Sequence, residues 1–261
     1  MPSEPTAPGP HTALRLGVVW DLVRQALENT VKATGRPALE VLDTGGGSGI
    51  LAVRAAGLGH RVTVVDPSPD ALFALERRAA EAGVAGLVRG VQGDTGDLLE
   101  VAGRERHDMV LCHGVLEYVD DPAAAVAAVA GALRPGGALS LLAAGLGGAV
   151  LARALAGRFT EARQALDDPE GRWGGSDPVP HRFTTERLTG LVSAAGLVPG
   201  ALHGVRIFAD LVPGALVDTE PEALQALIRL EAGAAAHPAF LAVAGQLHVL
   251  AHRPQEPRPA P

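Results

Sequence analysis

The stretch DTGGGSG, Asp43 to Gly49, sets four glycines in five positions directly behind the apolar run Ala38 to Leu42. Glycine gives up more conformational freedom on folding than any other residue, so a cluster like this marks a tight turn or a close approach to the backbone. After a strand of an open parallel sheet, such a turn borders the crevice where ligands bind. Two ligands suit the spacing. Gly47, Gly49 and Ala52 satisfy the G-x-G-x-x-G/A pattern of a dinucleotide turn. Gly45, Gly47 and Gly49, with Asp43 in front, match the pattern that lays backbone against the amino-acid end of an S-adenosylmethionine chain, Asp43 helping to position its ammonium. A turn that only packs a strand against a helix is the plainer alternative. Asp66 closes the next apolar run, RVTVVD, 19 residues after Gly47. A carboxylate there accepts from both ribose hydroxyls of either ligand; equally, the DPSPD context reads as a helix cap. In GDTGDL, Asp94, Thr95 and Gly96 fall where an adenine would lie, with acceptors for its exocyclic amine and backbone N–H groups for its ring nitrogens.

The elements that hold these residues follow from periodicity. Leu16, Val19, Trp20, Val23 and Leu27 give a helix over 14–34. ALEVLD, RVTVVD, LVRGVQG, DMVLCH and ALSLLAA read as five successive strands, and helices fall between them. Ser68 caps a helix that Gly83 stops; Asp121 and Pro122 open another that Pro135 and Gly136 end. Strands alternating with helices predict a mostly parallel sheet covered on both faces. The rhythm breaks over about 146–183, where two short helical patches precede the polar loop DDPEGRWGGSDPVPH. Loops of that length are usually functional or disordered, and this one reads as part of a helical lid. LHGVRIFADLV and AGQLHVLAHR then supply two closing strands, separated by a helix over about 220–236.

The fold class predicted is therefore α/β: a Rossmann-like, doubly wound, seven-stranded, mostly parallel sheet with a C-terminal antiparallel strand and a helical lid insertion after strand 5. Residues 12–253 form the domain, flanked by a Pro-rich leader at 1–11 and a tail at 254–261, both read as disordered. A formal net charge of -7 argues against broad nucleic-acid binding driven by phosphate neutralisation. The single cysteine, Cys112, allows no intrachain disulfide and suits a reducing cytoplasm. His248 and His252 share a strand face without further ligands, so no metal is expected. The uncharged run Gly136 to Ala152 holds five glycines and reads as strand, turn and helix, so no membrane span is expected either.

Taken in order, DTGGGSG, GHRVTVVD, HDMVLCHGVLEYVDDP and LRPGGALSLL resemble a class I S-adenosylmethionine-dependent methyltransferase. Within that superfamily, GVLEYVDDP, GRF, GVRIFADL, LIRLEA and GQLHVLAHRP are similar to the tRNA 5-carboxymethoxyuridine methyltransferase family, over about residues 12–254. The resemblance carries cofactor contacts onto Arg15, Gly45, Gly46, Asp66, Thr95, Gly96 and His113. It implies that the N-terminal helix closes over the cofactor and that Arg15 meets the cofactor's carboxylate. It also implies a carboxylate acceptor on a wobble uridine. A carboxylate is ionised at neutral pH, so no catalytic base is required. The site needs a cation instead, for which Arg206 leads and Arg182 is second, with Tyr118 shaping the pocket. An acceptor with a proton to lose would need a base, for which His113 and His181 are the candidates. The partner is thus a tRNA or a small-molecule methyl acceptor. A nicotinamide-dependent oxidoreductase and a non-catalytic binding module are the competing readings from other classes.

Overall fold

The structure, a computed structural model, describes residues 10–213 and 221–255, and for 10–16 and 221 the backbone alone. Seven strands form one sheet: β1 (Glu40–Thr44), β2 (Arg61–Asp66), β3 (Val88–Gln92), β4 (His107–His113), β5 (Leu133–Ala144), β6 (Val198–Val205) and β7 (Gln246–His252). Their spatial order is β3-β2-β1-β4-β5-β7-β6. The pairings from β3 across to β5 are parallel, and β7 runs antiparallel to both β5 and β6. The strand order reverses at β1, between β2 and β4, which opens a crevice at the C-terminal ends of those strands.

Helices cover both faces. One apolar layer joins α1 (Pro10–Thr34), α2 (Ile50–Gly57) and α3 (Pro69–Glu81) to the sheet through Val23, Leu27, Val41, Val64, Leu75 and Leu111. The opposite layer packs α5 (Pro122–Ala132) and α8 (Thr185–Ala194) through Val126, Val129, Leu139, Leu141 and Leu188. Three helix starts, the first two of them predicted, are capped by side chains. Ser68 Oγ accepts from Ala71 N, Asp121 from Ala123 N and Ala124 N, and Thr184 from Arg187 N. Two helices, α6 (Leu146–Leu155) and α7 (Phe159–Asp167), occupy the break in the alternation. The short α4 (Leu98–Val101), then α9 (Pro221–Ala234) and α10 (Pro238–Leu241), complete the described elements. No helix among the described residues is long and apolar enough to cross a membrane.

Three boundaries differ from the sequence reading. Pro10 and His11, assigned to the leader, already belong to α1, while residues 1–9 of the leader and 256–261 of the tail lie outside the described residues. The fifth strand begins at Leu133 rather than Ala138, because Leu133 pairs with His107 across a register shift. The sixth strand ends at Val205 instead of continuing through Val212. Arg206 turns into the left-handed region at φ 58°. The next three amides, of Ile207, Phe208 and Ala209, donate to the buried carboxylate of Glu231 on α9 at 2.8–3.0 Å. A carboxylate that collects three N–H donors takes the place of a strand partner.

Candidate functional site

The glycine turn runs from the end of β1 to α2. Gly45 N donates to Val65 O at 2.7 Å, tying the turn to β2. A Cβ on Gly46 would sit 2.6 Å from Asp43 Oδ2 and 2.8 Å from Val64 Cγ1. At Gly49, the cap of α2, it would fall 2.0 Å from Leu75 Cδ1 on α3, with φ at 73°. Part of the glycine requirement is therefore met by the protein's own packing, with Gly46 closing over Asp43 and Gly49 over α3.

Two acids lie beneath this turn. Asp43 is buried, and its Oδ2 accepts no hydrogen bond from the described residues. Burial, with the Asp66 carboxylate close by, pushes the Asp43 carboxyl up to about 7. Asp66 ends β2, 7% exposed. Its Oδ2 accepts from Gly47 N at 2.8 Å and its Oδ1 from Ser68 N at 2.9 Å. Each oxygen keeps a second lone pair, so the carboxylate is fixed in orientation and retains capacity for two hydroxyl donors. The helix-cap reading of this segment holds as well, through Ser68 rather than Asp66.

A cavity of about 650 Å³ opens at the C-terminal ends of β1 to β4. It brings together Gly45, Asp66, Asp94, Thr95, Gly96 and Tyr118 from four separate places in the sequence. Asp94 Oδ1 accepts from Gly96 N at 2.6 Å, which folds the Asp94–Gly96 turn around its own side chain. Val65, Val115, Val119, Ala124 and Ala125 give the same cavity an apolar wall. Sequence reasoning missed this apolar wall, although the GVLEYVDDP stretch already carried two of its valines, Val115 and Val119. Gly46, Gly47, Gly49, Asp43 and His113 stand behind the lining rather than in it. His113 ends β4 with Nε2 2.8 Å from Ser140 Oγ. Of Arg15 only the backbone, on α1, is described.

The residues singled out for an acceptor do not share that cavity, apart from Tyr118. Arg206 and Arg182 line a second one, of about 360 Å³, past the end of β5, together with Arg153, Trp173, Asp210 and Gly145. Arg182 is 4% exposed and forks onto the buried side chain of Asp177 at 2.7 and 3.0 Å. Burial alone would raise the Asp177 carboxyl, but hydrogen bonds from Arg182 and from Val179 and Trp173 amides hold it below the usual carboxylate range. The guanidinium carbons of Arg182 and Arg153 lie 3.7 and 3.8 Å from the centre of the Trp173 ring, two cations stacked on one indole. Arg206 directs Nε and Nη2 at a single oxygen, Asp210 Oδ1, at 2.8 and 2.7 Å.

His181 is not arranged as a base. Its Nδ1 lies 2.5 Å from Glu170 Oε2 and its Nε2 2.9 Å from Val119 O, so both ring nitrogens face acceptors. Its segment instead ties the wall of the first cavity to the second, because Arg182 and Phe183 follow it. Burial pushes the Cys112 thiol up, which leaves it inert. Among the described residues no cluster of three or more His, Cys, Asp or Glu is placed to hold a metal ion.

Comparison with known proteins agrees with this layout. Residues 42–141 match a family model described as a methyltransferase domain. The chain is 28% identical over 245 residues to the tRNA 5-carboxymethoxyuridine methyltransferase of Escherichia coli strain K12, covering 93% of this chain and 89% of that protein. A ubiquinone biosynthesis O-methyltransferase of Methylobacterium nodulans is 42% identical over 100 residues, 38% of this chain and 39% of the relative. In fold, the chain is similar to an S-adenosylmethionine-dependent methyltransferase from Mesorhizobium loti, with TM-score 0.59 and 20% identity over 90% of this chain and 98% of that one. The glycine turn, the oriented Asp66 carboxylate and the largely apolar cavity fit a ribose and an adenine. A methyltransferase domain thus spans the strands that build this cavity, and the protein is a methyltransferase that uses S-adenosylmethionine.

Proposed function

We propose that this methyltransferase esterifies a carboxylate, and that the carboxylate belongs to 5-carboxymethoxyuridine at the wobble position of tRNA. The observation that carries the reading is Arg206. Its backbone is held at φ 58°, a conformation that costs a non-glycine residue of order 1 kcal/mol or more and persists where surrounding structure enforces it. Its side chain lines the second cavity with both of its described hydrogen bonds on one oxygen of Asp210, which leaves Nη1 to meet an anion. The likeness to the tRNA enzyme over 93% of the chain supports the same acceptor.

When bound, the cofactor supplies a methyl already activated on a sulfonium. Asp66 would hold the ribose hydroxyls, Asp94, Thr95 and Gly96 the adenine, and the turn at Gly45–Gly49 with Asp43, Arg15 and His113 the amino-acid end. Arg206 would orient the acceptor carboxylate, and Arg182 would fix the loop beside it through Asp177. Because a carboxylate arrives ionised, alignment and exclusion of water are the protein's whole task. Helices α6 and α7 and the loop to residue 183 would serve as the lid over the acceptor. Action on tRNA would place the protein in the cytoplasm.

One observation favours a second acceptor class. Arginines of this region are paired with acids: Arg153 and Arg158 with Glu161, and Arg163 with Asp167. An insertion neutralised in this way suits a small anionic metabolite better than an RNA backbone. Nucleoside mass spectrometry separates the two. Loss of a wobble methyl ester from the tRNA of a deletion strain, restored by the wild-type gene, supports tRNA. An unchanged nucleoside profile, with S-adenosylmethionine still bound by the purified protein, supports the metabolite.

A further inference from the structure

Four polar side chains form one rank across four neighbouring strands, on the face of the sheet that α1 covers. His113 of β4 places Nε2 2.8 Å from Ser140 Oγ of β5. The same Oγ lies 2.7 Å from His248 Nε2 of β7, and His248 Nδ1 lies 3.4 Å from His203 Nδ1 of β6. Around them this face is apolar, with Leu111, Leu142, Val205 and Leu250 in the same layer. Ser140 and His248 are wholly buried. His203 reaches a cleft of about 640 Å³ between α1 and α9, where Asp21, Arg24 and Glu28 also stand. The rank thus runs from the edge of the cofactor cavity, where β4 ends, to a cleft on the far edge of the sheet.

Every contact in the rank needs one donor and one acceptor, and the serine has a single hydrogen to give. Two arrangements satisfy all three contacts with neutral rings and also use the buried serine hydrogen within the rank. In one, His203 Nδ1–H donates to His248 Nδ1, His248 Nε2–H donates to Ser140 Oγ, and Ser140 O–H donates to His113 Nε2. His113 then carries its proton on Nδ1. In the other, each donor and acceptor exchanges, and His113 carries its proton on Nε2. Burial favours the neutral rings this requires: it holds His248 well below the ordinary histidine range and His203 below it. A buried polar rank left half satisfied costs more than an apolar one, so the four groups are bound to a common direction.

We infer that His203, His248 and Ser140 are positioning residues that set which nitrogen of His113 carries the proton at the edge of the cofactor site. The tautomer inference stands on the rank alone; its consequence for the cofactor rests on the reading above that His113 stands beside that ligand.

The test is long-range 1H–15N correlation of histidine-labelled full-length protein, comparing wild type with Ser140→Ala, Ser140→Thr and His203→Phe. Wild type should show His113 as a single neutral tautomer. Ser140→Ala and His203→Phe should alter its pyrrole-like and pyridine-like nitrogen signals, and Ser140→Thr should restore them. His203→Phe acts at the half-buried end and keeps the test open should Ser140→Ala fold poorly. Signals of His113 that stay the same in all variants would overturn the inference. Calorimetry with S-adenosylhomocysteine then checks the consequence. Ser140→Ala should bind about threefold to tenfold more weakly, the effect of one neutral hydrogen bond, and Ser140→Thr like wild type. If wild-type His113 signals ignore S-adenosylhomocysteine while the variants still move them, His113's place beside the cofactor falls and the rank stands.

Discussion

The C-terminal ends of β1 to β4 and the region past β5 solve the problem of ligand recognition differently. In the first, the polar groups facing the cavity are mainly backbone turns and short acids, and Asp66, Asp94 and Asp121 are oriented by amides within a few residues of them or on the facing turn. In the second, the groups are three long guanidiniums, each paired with an acid before any ligand arrives: Arg182 with Asp177, Arg153 with Glu161 and Arg206 with Asp210. Backbone geometry is rigid and common to every protein that builds the same turn. Side-chain pairs across an insertion are particular to one chain. The first region suits a ligand shared by a superfamily and the second a ligand chosen by one branch.

That contrast can be broken by mutation. The largest effect expected is from Asp177→Ala, which leaves Arg182 buried without its carboxylate. Stability should fall by about 3–5 kcal/mol, read from the urea midpoint. A loss of well under that range would mean that the second region is not held by its ion pairs. Asp43 tests the opposite behaviour in the first region. Its carboxyl is raised to about 7, so the native state binds a proton the unfolded chain has released. Stability from this group is full below about pH 4 and is lost as pH rises toward 7. Asp43→Asn should therefore stabilise the protein at pH 8, by at most about 4 kcal/mol at about 1.4 kcal/mol per unit, and hardly at all at pH 4. A gain independent of pH would sink this account of Asp43.

Asp66→Ala should leave the fold intact by circular dichroism and weaken S-adenosylhomocysteine by roughly a hundredfold, about 3 kcal/mol for hydrogen bonds to a charged acceptor. Unaltered affinity by calorimetry would remove the ribose from this carboxylate. The smallest change in stability belongs to Arg206→Gly. Glycine relieves the left-handed backbone but loses the Asp210 pair, so stability should stay within about 1 kcal/mol of wild type. The acceptor's KM should rise by about tenfold or more for one charge-assisted contact, with cofactor affinity untouched. An acceptor KM that does not move would place the substrate elsewhere than the second cavity.

Legibility in the sequence followed the range of each interaction. Ser68, Asp121 and Thr184 act on amides two or three residues away, and local pattern found the first two of these caps by name. The strand ending at Val205 was misread because its end depends on Glu231, about two dozen residues on, taking amides that a longer strand would have used. His181 reads as a base from its type alone. Its neighbours in space, Glu170 and Val119 O, decide otherwise. His248 was paired in the sequence with His252 by strand alternation, yet its partners are His203 and Ser140 on adjacent strands.

By itself, the order of apolar runs, glycine turn and strand-terminal acids determined an α/β sheet with a nucleoside-binding crevice. Each of those signals is a backbone requirement written within a few residues. Only the tertiary structure decided that Arg182 and Arg206 meet in one cavity around Trp173, and that three histidines and a serine share one line of hydrogen bonds. Those groups lie tens of residues apart and come together through strand order, which no local spacing encodes.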